Sequence, residues 1–199
     1  MKHPCSGVIL AGGLGTRYGG ENKAFLKVGG VRILDRLFDL FSELFDEIIL
    51  VTNRPRDFLE WDALIVMDIF PVRSSLTGIH AGLFYASHPF AFFSACDTPF
   101  LKREIIETVL SEIEPGVDLV LPRTSAGFEP LCAAYSRRCL KPAEDHLRAN
   151  KLKIQLALKN CRIKTIPEDR LREKDPGLVS FFNVNTPQDL ARAEQMLSA

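Results

Sequence analysis

The chain has 199 residues, with 25 Lys plus Arg against 25 Asp plus Glu and a formal net charge of +0. No global field therefore draws it to nucleic acid or an anionic membrane, and an anionic ligand must be met by locally placed cations and backbone amides. Hydrophobic residues at 46% and charged residues at 25% fit one globular domain over residues 1–199, with core enough to need neither disulfides nor a structural metal.

In chain order, Met1-Lys2-His3-Pro4 leads directly into an apolar run, Ser6 to Ala11. That leaves no room for a signal peptide and predicts a cytoplasmic protein. The run ends in glycines and reads as a first buried strand. Ile33, Leu34, Leu37, Phe38, Leu40, Phe41, Leu44 and Phe45 recur at three- and four-residue spacing, which predicts an amphipathic helix. Glu47 to Thr52 reads as a second strand stopped by Asn53-Arg54-Pro55, and Ala63 to Met67 as a third. A helix from Thr77 to Ser87, flanked by His80 and His88, precedes a fourth strand at Phe90 to Ala95. Ile105, Ile106, Val109, Leu110 and Ile113 mark a further helix, and Val117 to Leu121 a further strand. A strand at Leu131 to Tyr135, helices through 139–158, a strand at Cys161 to Ile166 and a closing helix from Pro187 complete the series. Residues 167–178, charged and carrying Pro167, Pro176 and Gly177, read as a long surface loop.

Strands alternating with helices imply an α/β fold with a mostly parallel sheet covered on both faces. In such sheets ligands bind at the carboxyl ends of the strands. The polar and glycine-rich positions fall there: Gly12-Gly13, Asn53, Asp68 and Asp97 each follow a predicted strand. All apolar runs are far shorter than the roughly 20 residues that cross a bilayer. The five cysteines (Cys5, Cys96, Cys132, Cys139, Cys161) form no CxxC and the four histidines no HxxxH, so neither a zinc site nor a disulfide framework is expected and the thiols read as reduced. Cys96 has no histidine close in sequence and reads as buried and inert, and Trp61 reads as packing.

The loop after the first strand runs Leu10-Ala11-Gly12-Gly13-Leu14-Gly15-Thr16-Arg17-Tyr18-Gly19-Gly20-Glu21-Asn22-Lys23. Its glycines let backbone amides approach phosphate oxygens, and Arg17 and Lys23 add cations. A dinucleotide fingerprint fails, because Tyr18 stands where G-x-G-x-x-G needs glycine and Thr52-Asn53 replaces the ribose-binding acid; a Walker A loop fails at Asn22-Lys23-Ala24. Asp97, in Cys96-Asp97-Thr98-Pro99, has the hard oxygen that suits magnesium with phosphate oxygens, or alternatively caps a helix starting near Pro99. Asn183 and Asn185, alternating in Phe182-Asn183-Val184-Asn185-Thr186-Pro187 at the end of a strand, would share one face, with Thr186 or Asn185 also able to serve as a helix cap.

The loop resembles the nucleotidyltransferase signature L-A-G-G-x-x-x-R-x-G-x-x-K. With the Cys-Asp-Thr-Pro and Asn-Val-Asn-Thr-Pro strings in the expected order, the chain is similar to the molybdenum cofactor guanylyltransferases (MobA-type). The resemblance runs from the first strand to the last helix. It implies a three-layer α/β/α, Rossmann-like fold of the nucleotide-diphospho-sugar transferase kind. It also implies GTP as donor, a molybdopterin-type phosphate acceptor, Mg2+ as cofactor, and cofactor-biosynthesis proteins or target molybdoenzymes as partners. Carried over residue by residue, Leu10, Ala11, Gly12, Gly13, Lys23, Asn53, Asp68 and Asp97 would bind the nucleotide, with Asp97 on the metal. Arg17, Lys23, Asp97 and Asn185 would act in catalysis, and Gly78 and Asn183 would meet the acceptor. Ser75 stands where the family has proline before Leu-x-Gly, a departure at the loop that carries Gly78. Glu129-Pro130-Leu131 falls where the family has a Pro-Leu element near the acceptor. Ala11-Gly12-Gly13 points to guanine, since relatives using CTP carry Ala-Ala-Gly. Rival readings are a sugar-1-phosphate nucleotidyltransferase, disfavoured by the missing proline before Lys23, and a non-catalytic nucleotide-binding module.

Overall fold

In the computed structural model, which describes residues 3–12 and 23–198, the apolar runs that alternate Val8 with Ile9, Ile49 with Leu50 and Phe93 with Phe92 become strands buried on both faces. In chain order the elements are β1 (Ser6–Leu10), β2 (Lys27–Val28), β3 (Val31–Arg32), α1 (Ile33–Leu44), β4 (Ile48–Val51), β5 (Leu64–Val66), α2 (Ser75–Tyr85), β6 (Phe90–Ala95) and α3 (Arg103–Ser111). They continue with β7 (Leu119–Thr124), β8 (Gly127–Phe128), β9 (Cys132–Ser136), α4 (Leu140–Arg148), α5 (Ile154–Ala157), β10 (Ile163–Ile166), α6 (Glu168–Arg172) and α7 (Pro187–Ser198). The main sheet has 8 strands in the order β10-β7-β9-β6-β1-β4-β5, with β8 paired to β7. β1 pairs in parallel with β4 and β6, β4 with β5, and β7 with β10. β9 runs the other way between β6 and β7, and β8 is antiparallel to β7. The sheet is thus mostly parallel by strand direction, as expected, with β8 and β9 its reversed members.

Odd and even strand residues feed two separate cores, so the fold has three layers. One face packs Ile9, Leu50, Phe92 and Val120 against α1, α3 and α7 through Leu37, Phe41, Ile105, Ile106 and Ala193. The other packs Val8, Ile49, Phe93 and Tyr135 against α2, α4 and α5 through Leu76, Ile79, Leu147 and Ala157. Two glycines set how closely these layers approach β1. A Cβ on Gly7 would lie 2.5 Å from the Phe45 ring and 2.7 Å from that of Phe41, while one on Gly82 of α2 would lie 2.6 Å from Phe93 and 2.7 Å from Val8.

Several local expectations are corrected. Residues 167–178 are not a free loop: they contain α6, bury Leu171, and bury Asp175 completely. The Asp175 carboxylate accepts from Ser180 N–H at 2.8 Å and from Lys102 Nζ at 2.9 Å, which fixes the segment to the start of α3. The strand expected to end at Phe182–Asn185 is absent among the described residues, and Val179–Phe181 just before it is a 3-10 turn; such short apolar runs carry no periodicity that separates the two states. His80 lies within α2, not beside it, and is buried in edge contact with Phe70. The α2 helix starts at Ser75 because the Ser74 hydroxyl accepts from Thr77 N–H at 3.1 Å. Among the described residues no helix is long and apolar enough to cross a membrane.

Candidate active site

The carboxyl ends of β1, β4, β5 and β6 lie along one edge of the sheet, with β4 and β5 on one side of β1 and β6 on the other. Strand order therefore reverses at β1, and the crevice beside it is the expected ligand position. The extension of β1 is held by two ladder bonds: Ala11 N–H donates to Val51 O at 2.8 Å, and Leu10 O accepts from Cys96 N–H at 3.1 Å. Ala11 is buried, while Gly12 is exposed at the rim. A Cβ on Gly12 would stand 3.7 Å from Asn53 Nδ2, so the glycine loop and the end of β4 open onto one place. Gly13 and Arg17 lie outside the described residues.

The chain re-enters at Lys23, first residue of a 3-10 turn ending at Phe25. The Phe25 ring seats the turn, packing on Phe58 at 5.2 Å and stacking on Trp61 at 5.9 Å, with Arg32 4.7 Å over Trp61. Trp61 is therefore packing, as its sequence context suggested, and through Phe25 it braces Lys23. Lys23 Nζ donates to Asn185 Oδ1 at 2.6 Å and to Asp97 Oδ2 at 3.3 Å. One ammonium thus joins groups 74 and 162 residues away along the chain. The three separated sequence motifs meet at this nitrogen.

Asp97 stands just past the end of β6, after Cys96. Since α3 begins at Arg103 with Lys102 as its cap, Asp97 does not cap that helix. Its backbone carbonyl accepts from Val184 N–H at 2.8 Å, pinning the segment that carries the two asparagines. Burial pushes the Asp97 carboxyl up, and the Lys23 ammonium opposes it. Asn185 is fixed from behind by the start of α7: Asp189 Oδ2 accepts from the N–H groups of Asn185 at 3.0 Å and Thr186 at 2.8 Å, and Thr186 Oγ1 accepts from Asp189 N–H at 3.2 Å. The two asparagines, expected on one face, have different partners, for Asn183 Nδ2 turns back to Phe181 O at 3.1 Å.

Asn53 Nδ2 donates to Asp68 Oδ2 at 2.7 Å, joining the ends of β4 and β5 beside Gly12. Burial raises the Asp68 carboxyl against the pull of Asn53 and Arg73. Gly78 is buried in the first turns of α2, where a Cβ would meet the Leu10 side chain at 3.2 Å; it lets the helix sit on the end of β1. Sequence reading gave Glu129 no role of its own. It is half-buried in the turn between β8 and β9, accepts from Thr124 Oγ1 at 3.1 Å, and is pushed up by burial. Asp68, Asp97 and Glu129 are the carboxyls so raised among the described residues, and all three lie at the ligand edge. The signal that would have flagged Glu129 is burial with no cation acting on it among the described residues, which only the fold reveals.

No cluster of three or more His, Cys, Asp or Glu that would enclose a metal occurs among the described residues. One carboxylate with a neighbouring amide oxygen suits instead a hard cation that takes most of its ligands from phosphate and water.

A glycine-lined strand end, a lysine, a carboxylate and an amide converging at a topological switch point define an α/β protein built to handle a nucleotide's phosphates. Residues 7–161 match the model of the MobA-like NTP transferase domain. The molybdenum cofactor guanylyltransferase of Desulfosudis oleivorans is 47% identical over 98% of this chain and 96% of its own length. A probable molybdenum cofactor guanylyltransferase of Natranaerobius thermophilus is 35% identical over 99% and 98%. The crystal structure of molybdopterin-guanine dinucleotide biosynthesis protein A from Archaeoglobus fulgidus superposes with a TM-score of 0.86 at 29% identity, covering 97% and 98% of the two chains. The chain belongs to the MobA-like NTP transferase family and, within it, to the molybdenum cofactor guanylyltransferases.

Proposed function

We propose that the chain transfers GMP from GTP to the terminal phosphate of molybdenum-molybdopterin, giving the guanine dinucleotide form of the cofactor and pyrophosphate, with Mg2+ as the metal and the cytoplasm as its place of work. The observation that carries this reading is the Lys23 ammonium held between Asp97 and Asn185 at 3.3 and 2.6 Å, beside the exposed Gly12 and the Asn53–Asp68 pair.

The acceptor phosphate is already an anion, so no protein nucleophile is needed. Its oxygen attacks the α-phosphorus in line, a new P–O bond forms, and the bond to the β-phosphate oxygen breaks as pyrophosphate leaves. What the protein supplies is position and opposite charge. Lys23 donates to phosphate oxygens, and the amides at Gly12 and Gly13 with Arg17 hold the rest of the triphosphate. The Asp97 carboxylate, with Asn185 beside it, would hold Mg2+; when bound, the ion neutralises charge across the reacting phosphates. Asn53 and Asp68 would meet the base, since a carboxylate suits the N1–H and 2-amino donors of guanine. Gly78 and Asn183 would lie toward the acceptor. Cofactor-biosynthesis proteins or target molybdoenzymes would deliver and receive the pterin.

A competition assay tests this reading. The protein is given Mg2+, molybdopterin and equal GTP, CTP, ATP and UTP, and pyrophosphate and dinucleotide products are measured. The guanine dinucleotide should dominate. Faster cytidylyl transfer, or transfer only to a sugar 1-phosphate, would reject it.

A further inference from the structure

At the opposite, amino-terminal edge of the sheet two thiols touch. Cys139, ending the 3-10 turn after β9, and Cys161, preceding β10, have their sulfurs 3.7 Å apart. Both flank the start of β7, where a single side chain holds their chain neighbours. Asp118 Oδ1 accepts from the guanidinium of Arg138, next to Cys139, and Oδ2 accepts from Arg162 N–H, next to Cys161, at 2.9 Å. The backbone repeats the clamp: Ser136 N–H donates to Asp118 O at 2.7 Å, and Asp118 N–H donates to Arg162 O at 2.9 Å. Cys139 is fully buried, whereas Cys161 is partly exposed. The Cys139 S–H has two acceptors in reach, Asp118 O at 3.2 Å and the Cys161 sulfur at 3.7 Å; its contact with Cys161 lowers the Cys161 thiol and, with burial, raises that of Cys139. The remaining cysteines, Cys5, Cys96 and Cys132, are buried and pushed up by burial.

We propose that Cys139 and Cys161 form a thiol–disulfide exchange site that small-molecule disulfides of the glutathione type close into an intramolecular bridge. Cys161 is the attacking group because it alone of the pair reaches solvent, and the thiolate is the species that attacks. Its sulfur bonds to one sulfur of oxidised glutathione, and one glutathione thiolate leaves. The Cys139 sulfur then attacks the Cys161 sulfur of this mixed disulfide as its proton passes to the departing glutathione thiolate, and the second glutathione leaves as the thiol. Two protein thiols are oxidised by two electrons, one disulfide is reduced to two thiols, and the two thiol protons end on glutathione. The second step needs no solvent access at Cys139, since the sulfurs already touch and the Asp118 clamp keeps their backbones together. Closure ties residues 139 to 161 around α4 and α5, an arc remote from the Lys23–Asp97 centre. A bridge of that span restricts the unfolded chain and raises the melting temperature.

The native full-length protein is incubated with oxidised glutathione, quenched in acid, and analysed by intact mass and peptide mapping. The expected product has lost two hydrogens, carries no glutathione, contains a linked Cys139–Cys161 peptide, and melts higher than the reduced form. Cys139→Ser should arrest the reaction as a glutathione adduct on Cys161, while Cys161→Ser should leave Cys139 unmodified. A stable glutathione adduct on the wild type, bridges involving Cys5, Cys96 or Cys132, or no adduct on Cys139→Ser would each overturn the proposal.

Discussion

At the scale of single residues, the site is a set of groups whose ordinary chemistry is altered by where they stand. Asp68 and Asp97 are carboxyls pushed up by burial, yet each has a hydrogen-bond donor aimed at it, Asn53 in one case and Lys23 in the other. Under the proposed function the half-buried Asp68 carboxylate should read donors on the base. Asp68→Asn keeps an oxygen for Asn53 but loses the charge-assisted bond, a loss of about 1.5–3 kcal/mol. We expect its KM for GTP to rise on the order of 10- to 100-fold, and its preference for GTP over ITP, which lacks the 2-amino group, to shrink. Steady-state kinetics with both nucleotides checks this; an unchanged GTP/ITP ratio would remove Asp68 from base recognition. The identities of Lys23, Asp97 and Asn185 were readable in the sequence because each sits in a short string of distinctive residues. That one ammonium touches the other two groups was not readable, since it depends on β1, β6 and the start of α7 arriving at one edge. Glu129 was overlooked as a group in its own right, because nothing in Gly127-Phe128-Glu129-Pro130 announces burial.

At the scale of elements, the strands and helices buried on both faces were the legible part, because apolar periodicity survives over five or more residues in β1, β6 and α1. The short pieces were not. β2, β3 and β8 are two residues each, too few to show alternation, and the reversal of β9 follows from its tight connection through β8 rather than from composition. α6 was hidden by the charges of Glu168, Asp169, Arg170 and Arg172, which suggest solvent even though Leu171 between them is buried. The close seating of α1 on β1 has a direct consequence. Gly7→Ala places a methyl 2.5 Å from Phe45 and 2.7 Å from Phe41, and such overpacking typically costs about 1–3 kcal/mol. Urea unfolding should show that loss with an unchanged m-value. Full stability in Gly7→Ala would mean that the two phenylalanines move aside freely.

At the scale of the whole molecule, neutral net charge conceals a division of labour among the acids. At the amino-terminal edge burial would raise Asp118, but hydrogen bonds from Arg162 and Arg138 outweigh it and hold the carboxyl well below the usual carboxylate range. Glu47 and Asp175 are likewise held low despite burial, by Ser6 and Ser87 in one case and by Ser180 and Lys102 in the other. Groups depressed in the folded state stabilise it above their unfolded values, about 3.9 for Asp and 4.3 for Glu, and that contribution fades as the pH falls further. The raised acids at the ligand edge act in the opposite sense and offset part of the loss. Urea midpoints should therefore be nearly level from neutral pH to about 5 and fall below about 4, with Asp118→Asn less stable at neutral pH and shallower in its acid decline. A decline as steep in Asp118→Asn as in the wild type would contradict this assignment.

The central claim is that Lys23, Asp97 and Asn185 act as one reaction centre for guanylyl transfer. It is tested most directly by measuring GMP transfer from GTP for Lys23→Ala, Asp97→Ala and the double variant, with melting temperatures recorded for each. Each single change should cost about 10²- to 10³-fold in kcat. The double variant should lose little more than the worse single one, as groups acting as a unit do. Near-normal turnover in Asp97→Ala, or losses that multiply in full, would show that the two residues serve separate sites.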